Sequence, residues 1–265
     1  MRKNLIFAMI VFFLLSSFPH YAFATDEGLN EKENLMAALW QQTSSEYRAL
    51  CYQAFNVARD RINMDLTKEW VKPRAVIIDL DETVIFNAKF NATGVIREQE
   101  YPKEFYEWIA SGDATLIPGA GEFLEFIDEE GYTIFYVTNR RDECTEITLQ
   151  QILDLDLPQA YRENLLMRGT DHTKQGRRDK VNEDYAVILY IGDNSVDFLG
   201  GYYRGSIEER KNLTDSVQAE WGRKFIILPN PLHGSWKKAL YHGVVEWLSG
   251  EESLKHKASL LEVIE

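Results

Sequence analysis

With 265 residues, the chain suits one domain with decorations. Its 42 acidic against 29 basic side chains give a formal charge of −13, which argues against a nucleic-acid polymer as partner. Its two cysteines, Cys51 and Cys144, do not demonstrate a disulfide, and Cys51, in an amphipathic helical stretch, reads as a small core residue.

The chain opens with Arg2-Lys3, an uncharged apolar run from Leu5 to Leu15, and Ala22-Phe23-Ala24. This pattern predicts a secretory signal peptide over residues 1–24, cleaved after Ala24. The apolar run is short for a membrane anchor, so no stable insertion is expected after cleavage. No cysteine lies near the cleavage site, so the protein is expected to be periplasmic or secreted without a lipid anchor. Residues 25–265 then form the mature chain, polar over 25–34.

From Glu33 to Asn63 no Pro or Gly interrupts the chain, and Leu35, Leu39, Tyr47, Leu50, Phe55 and Val57 mark one or two helices packed on the body. Residues 75–79 begin a sheet. The aromatic-rich stretch 88–117, with Phe90, Tyr101, Phe105, Tyr106 and Trp108, suits a small helical cap. A helix over 119–129 stops at Gly131 and leads to a strand over 132–140. A helix over 142–153, a short strand at 165–167, a helix opening at the basic cluster Thr173 to Arg178 and a strand from Ala186 to Ile191 follow. Strand 225–228 and helices near 236–248 and 252–264 close the chain. Strands alternating with helices predict an α/β fold with a doubly wound parallel sheet and helical amino- and carboxy-terminal extensions.

The most informative stretch is Ala75-Val76-Ile77-Ile78-Asp79-Leu80-Asp81-Glu82-Thr83. An apolar run that breaks onto two carboxylates reads as a buried parallel strand delivering its last side chains to a cleft. Two acids at such a tip repel each other and lose water, which a divalent cation or acid–base chemistry would justify. A helix N-cap at Asp81 or Thr83 is the plainer alternative, and it leaves Asp79 unexplained. The strand over 132–140 ends at Thr138 and Asn139, and the strand from Ala186 runs out into Gly192-Asp193-Asn194-Ser195-Val196-Asp197. Beyond the carboxyl ends of strands in an open α/β sheet these tips can converge with Lys174 on one site. Arg177 and Arg178 read more plainly as a solvated helix face, Arg177 having some call on the carboxylates. Phe105 and Trp108 read first as cap packing.

Asp79-x-Asp81-x-Thr83, Thr138, Lys174 and Gly192-Asp193-Asn194-x-x-Asp197, in that order, resemble the haloacid dehalogenase superfamily of phosphatases. Within it the chain is similar to the class C acid phosphatases, bacterial 5′-nucleotidases of the lipoprotein e type. Leu39 to Leu50 resembles that family's amino-terminal helix, and Leu228-Pro229-Asn230-Pro231 through Gly234-Ser235-Trp236 its late loop. Ser195 departs from the family's usual leucine and His233 from its usual tyrosine.

The resemblance implies a Rossmann-like core with the cap between the first two motifs, and an exported phosphomonoesterase acting through an aspartyl-phosphate. Asp79 would be the nucleophile, and Asp81 the acid and then the base. Thr138, Asn139 and backbone amides after Asp79 would hold phosphoryl oxygens, with Lys174 bridging them to Asp79. Mg²⁺ or a similar cation would take Asp79, the Asp81 backbone carbonyl and Asp193, with Asp197 and Arg177 supporting from behind. Phe105 and His233 would sandwich a nucleobase, and a charged His233 would favour an anionic substrate below about pH 6.5. The expected substrate is therefore a small phosphate ester, a nucleoside 5′-monophosphate in particular, and the family resemblance admits a homodimer. The competing reading is an exported binding or adhesion protein on a catalytically dispensable phosphatase scaffold.

Overall fold

In the computed structural model, which describes residues 31–97, 103–171, 173–244, 248 and 250–264, the apolar run before Asp79 forms strand β1 (Arg74–Ile78). The predicted signal peptide lies outside these residues. Ala75, Val76, Ile77 and Ile78 are all buried, and they alternate between two cores. Val76 and Ile78 join the larger cluster with Phe55, Ile62, Phe123 and Ile127, whereas Ala75 and Ile77 join a second with Val181 and Phe225. A strand covered on both faces has no solvent side for polar residues, and each buried Val or Ile adds roughly 1.5–3 kcal/mol.

Around β1 lie β4 (Thr133–Arg141), β5 (Leu165–Arg168), β6 (Ala186–Gly192) and β7 (Phe225–Ile227), giving a five-stranded sheet in the order β5-β4-β1-β6-β7. Every pairing in it is parallel. The chain winds outward from β1 first to one edge and then to the other, so the tips of β1, β4 and β6 adjoin at the point where the order reverses. A ligand crevice is expected there. The expected fold class is the one observed.

Helix α2 (Ser45–Asp65) packs on one face of the sheet with Tyr47, Cys51, Ala54, Phe55, Ala58 and Ile62 inward, after Ser44 caps it by accepting from the Tyr47 amide at 3.1 Å. The periodicity misplaces part of this face. Leu50, and Leu35 and Leu39 on α1 (Leu35–Thr43), are exposed, while Ala38 and Gln41 turn inward. Both cysteines are buried and unpaired.

Between β1 and β4 the chain makes a small hairpin, β2 (Ile85–Phe86) against β3 (Thr115–Leu116), with α3 (Ala88–Arg97) and α4 (Lys103–Ser111) inserted in it as the cap. The next helix after Asp79 therefore begins at Ala88, which removes the N-cap reading of Asp81 and Thr83. Helices α5 (Ala120–Glu129), α6 (Thr145–Asp154) and α7 (Gln175–Asp184) connect the remaining strands. Helix α8 (Ile207–Ser216), absent from the sequence reading, starts at a capping box in which Ser206 and Glu209 bond each other's amides. Of the helix expected near 236–248, the described residues form α9 (Ser235–Ala239), with turns up to Gly243, whose φ of 81° a right-handed helix does not admit, and residues 245–247 lie outside the described residues. Helix α10 (Gly250–Ser259) is the last element described. Among the described residues no helix is long and apolar enough to cross a membrane.

Candidate active site

The β1 ladder extends one residue past its end, because the Asp79 amide donates to the Ile191 carbonyl at 2.9 Å. The chain then doubles back. The Leu80 carbonyl accepts from the amides of Val84 and Ile85 at 2.9 and 2.8 Å, and Glu82 takes a left-handed φ of 62° to close the turn. Such a conformation in a non-glycine residue costs of order 1 kcal/mol or more and is held by its surroundings. Glu82 is buried, and its carboxylate accepts from Gln41 at 2.8 Å, Asn91 at 3.0 Å and the Asn87 amide at 3.3 Å. Burial pushes it up to about 7. Of the amides after Asp79, those of Glu82 and Thr83 turn inward to the carbonyls of Ile85 and Leu80. Among the described residues no backbone carbonyl accepts from the Leu80 or Asp81 amide.

Lys174, immediately before α7, is buried and grips the tip from behind. Its ammonium donates to Asp79 Oδ1 and stands 2.7 Å from Asp197 Oδ1. Burial works against the ammonium, but Asp197 and Asp79 together hold it above its usual range, so it stays charged. Asp197 is fixed further by the Asn194 amide, which donates to its Oδ2 at 2.9 Å. This close approach requires the bare backbone of Gly192, where a Cβ would lie 2.4 Å from Asp197 Oδ2.

The other oxygen of Asp79 faces Asp193. Thr83 Oγ1 lies 3.4 Å from Asp79 Oδ2 and 3.2 Å from Asp193 Oδ1, while Asn230 Nδ2 donates to Asp193 Oδ2 at 2.6 Å. Burial pushes Asp79 up to about 6 and Asp193 well above the usual carboxylate range, with Asp197 and Asp79 adding to the latter. One hydroxyl proton cannot serve both facing oxygens. Asp79, Asp193 and Asp197 offer ligand atoms within 4.8 Å of one another. Hard oxygen donors short of positive charge are the set a divalent cation takes, so these residues fit one.

Asp81 has a different environment. Arg140, buried in β4, donates Nε to Asp81 Oδ2 at 2.9 Å and Nη2 to Oδ1 at 2.7 Å, and Asn87 adds a third bond at 2.9 Å. Burial alone would raise the Asp81 carboxyl, but Arg140 outweighs it and holds the group below its ordinary value. Two carboxylates two residues apart are thus pushed in opposite directions, Asp79 up and Asp81 down.

A cleft of about 220 Å³ opens onto these groups, lined among others by Asp79, Asp81, Lys174, Asp193, Asn139 and His233. The chain matches the family described as HAD superfamily, subfamily IIIB (acid phosphatase) over residues 22–236. It belongs to that family.

The solved structures point the same way. The class C acid phosphatase from Bacillus anthracis is 32% identical, covers 90% of this chain and 100% of that one with tungstate bound, and gives a TM-score of 0.84. A second structure of that Bacillus anthracis protein gives 0.83 at 32% identity, with 89% of this chain and 99% of that one covered. The chain is thus a phosphomonoesterase of the acid phosphatase class.

In this acid phosphatase the sequence-derived residues fall into three groups. Asp79, Asp81, Asn139, Lys174, Asp193, Asp197 and His233 all border the cleft. Thr138 is fully buried beneath it, its Oγ1 accepting from the Arg140 amide at 3.1 Å. The strand does not end there. A register irregularity between Val137 and Arg141 lets Thr138 to Arg140 turn toward the cleft while β4 continues to pair with β5.

Two expectations change. Phe105 is 6% exposed, packed on Phe90 at 5.3 Å and under the Arg140 guanidinium at 5.5 Å, so it lies in the core of the cap and not on the cleft wall. Its place on the buried face of α4 turns it away from the site. Arg177 makes no hydrogen bond to a carboxylate among the described residues. It donates to the carbonyls of Thr138 and Leu166 and to Asn139 Oδ1, tying β4, β5 and the loop before α7 together.

Arg178, read as solvated, is buried and donates to the carbonyls of Val196 and Asp197 at 2.9 Å each. His233, at the end of the late loop, shares a hydrogen bond with Asn91 Oδ1 at 3.1 Å. Burial and Lys237 push it down to about 4, so its ring stays neutral well below the pH of about 6.5 at which a charge was expected. Sequence reasoning missed Arg140 and Glu82, both of which stand beside residues it singled out.

Proposed function

We propose that the chain is an exported, divalent-cation-dependent phosphomonoesterase that works through an aspartyl-phosphate. The observation that carries this reading is Asp79 itself. It is a buried carboxylate with one oxygen fixed by Lys174 and the other facing Asp193, two residues before an acid held in a separate environment.

Asp79 Oδ1 or Oδ2 attacks phosphorus, the bond to the ester oxygen breaks, and the departing electron pair takes the proton of Asp81. Asp81, now ionised, removes a proton from water. The water oxygen attacks phosphorus, the bond to Asp79 breaks, and phosphate leaves with the nucleophile restored. Lys174 neutralises Asp79 and the phosphoryl oxygens, Asn139 and the Leu80 and Asp81 amides donate to those oxygens, and Thr138 braces the loop from below. Asp79, Asp193 and the Asp81 backbone carbonyl would hold the cation, Mg²⁺ or a close relative, with Asp197 behind them. When bound it would supply positive charge to the phosphoryl group. Because Arg140 holds Asp81 low, its acid form becomes populated only at low pH. Tungstate, a tetrahedral oxyanion bound by the Bacillus anthracis protein, is the kind of ligand such a site would take here.

We assign nucleoside 5′-monophosphates as preferred substrates on a narrower basis than a two-ring sandwich. His233 is the ring on the cleft wall, and Asn87, Asn91, Asn139 and Asn230 line the same cleft. Export rests on the amino-terminal pattern of residues 1–24. A panel of aryl, alkyl and nucleoside phosphates, run with Mg²⁺ and with chelator, tests the reading. The expected result is hydrolysis that chelation abolishes, with nucleotides ahead of glycerol phosphate in kcat/KM. Undiminished turnover after exhaustive chelation would remove the cation from the account, and equal kcat/KM across the panel would remove the nucleotide preference.

A further inference from the structure

The two loops that carry Asp193 and His233 are tied together from outside the cleft by one side chain that nothing above assigns. The first loop runs from Gly192 to Asp197 at the tip of β6, the second from Asn230 to Ser235. Near the cleft Asn230 joins them through Asp193, and its own Oδ1 accepts from the amides of Leu232 and His233 at 2.9 and 3.0 Å. Farther out, Ser235 Oγ donates to Asn194 Oδ1 at 2.8 Å. Arg210 of α8 closes this outer joint. Its Nη2 donates to Ser195 Oγ at 2.6 Å, and its Nη1 to Ser235 Oγ at 2.8 Å and to the Tyr202 carbonyl at 2.6 Å.

We propose that Arg210 is a positioning residue that sets the cation affinity of the site by locking the Asp193 loop to the His233 loop through Ser195 and Ser235. The geometry demands a guanidinium. A planar fork can meet two serines and a carbonyl at once, which the point charge of a lysine cannot reproduce. Asp193 is an expensive residue to place, being half-buried and facing Asp79, with Thr83 and Asn230 as its donors. A small drift of its loop would change the distance between the two carboxylates that the cation must bridge. Groups bonded directly to a ligand alter metal affinity by roughly 10–100-fold when removed, and Arg210, acting through Ser195 and Ser235, belongs at the lower end of that range. This inference rests on the reading of Asp193 as a cation ligand.

A plain structural role is the alternative. Arg210 also lies over the Tyr202 ring at 5.4 Å, so its loss would lower stability in any case. The experiment therefore measures affinity apart from stability. Purified protein without substrate is titrated with Mg²⁺ while the rise in melting temperature is followed, and half-activation by Mg²⁺ is measured in parallel with nitrophenyl phosphate. In Arg210→Ala the Mg²⁺ concentration for half effect should rise about tenfold in both measurements. Ser195→Leu and Ser235→Ala should each give part of that rise, and combining either with Arg210→Ala should add less than the sum. A solvent-open cavity of about 540 Å³ borders Arg210, Ser195 and Trp236, so millimolar guanidinium should partly restore the affinity of Arg210→Ala. Ser195→Leu and Ser235→Ala carry the test if Arg210→Ala does not fold. Variants that melt lower but keep the parent's Mg²⁺ dependence would overturn the proposal. A parent protein with no Mg²⁺ effect in either measurement would instead overturn the cation reading on which it rests.

Discussion

Arg140→Met would test how the acid of this enzyme is tuned. Met keeps length and apolar bulk against Phe105 but removes both bonds to Asp81 and those from Nη1 to Gln151 at 2.8 Å and Thr148 at 3.3 Å. Removing one partner of a fully buried pair costs about 3–5 kcal/mol. The Asp81 side chain is 27% exposed, so water replaces part of what is lost, and we expect about 2–3 kcal/mol. At this chain length that corresponds to a melting temperature lower by roughly 5–10 °C.

The catalytic effect has the opposite sense. An arginine beside a carboxylate lowers its pKa by about 1–3 units, so without Arg140 the acid form of Asp81 persists to higher pH. The pH optimum for an alkyl phosphate should therefore move up by roughly 1–2 units. A nitrophenyl ester, whose leaving group needs no proton, should show little of that movement in its first step. The assay is a pair of pH–rate profiles for the two esters on parent and variant, beside a thermal melt. A variant that melts lower while its alkyl-ester profile stays in place would refute the idea that Arg140 governs the proton of Asp81.

Three further outcomes follow from the same geometry. Lys174→Met leaves Asp79 facing Asp197 uncompensated, so the Asp79 carboxyl rises further above its unfolded value. Stability of that variant without divalent cations should be nearest the parent below about pH 4 and fall away as pH rises through that raised value, in melts taken across pH. Gly192→Ala forces a Cβ into the Asp197 carboxylate, and displacing Asp197 should release Lys174, cutting kcat at least tenfold while circular dichroism stays native. Because His233 sits near 4, KM for nucleotides should show no inflection at pH 6–7 assignable to an imidazole; an inflection there that His233→Gln removes would contradict the neutral ring.

The core of the fold and most of the site could be read from residues whose environment is set by their own segment. Ala75 to Ile78 leaves no polar face, so burial on both sides and a parallel sheet follow, and the strand tips then place Asp79, Asn139 and Asp193 together. The S-x-x-E at Ser206 to Glu209 was an equally local signal for α8 that periodicity alone passed over, because no residue of that helix is buried. What could not be read depends on distant partners. Arg178 looks solvated until the Val196 and Asp197 carbonyls are brought to it, and Arg140 looks like one of a surface pair with Arg141 until Asp81 and Gln151 close around it. For Phe105 the plain reading as cap packing is the one observed and the base-stacking face implied by the resemblance is not, since an aromatic on a cap helix can face the cleft or the cap's own core, and only the position of Phe90 and Arg140 decides.

The central claim is that phosphate passes through Asp79. The most direct measurement is acid quench of the enzyme during turnover of nitrophenyl phosphate, whose leaving group needs no proton from Asp81, followed by mass spectrometry of the peptide that spans Asp79, with Asp81→Asn included to slow the second step. The account predicts a phosphoryl group on Asp79, more abundant in Asp81→Asn than in the parent and absent in Asp79→Asn. A phosphoryl group on another residue, or none on Asp79 while product forms in an initial burst, would contradict it.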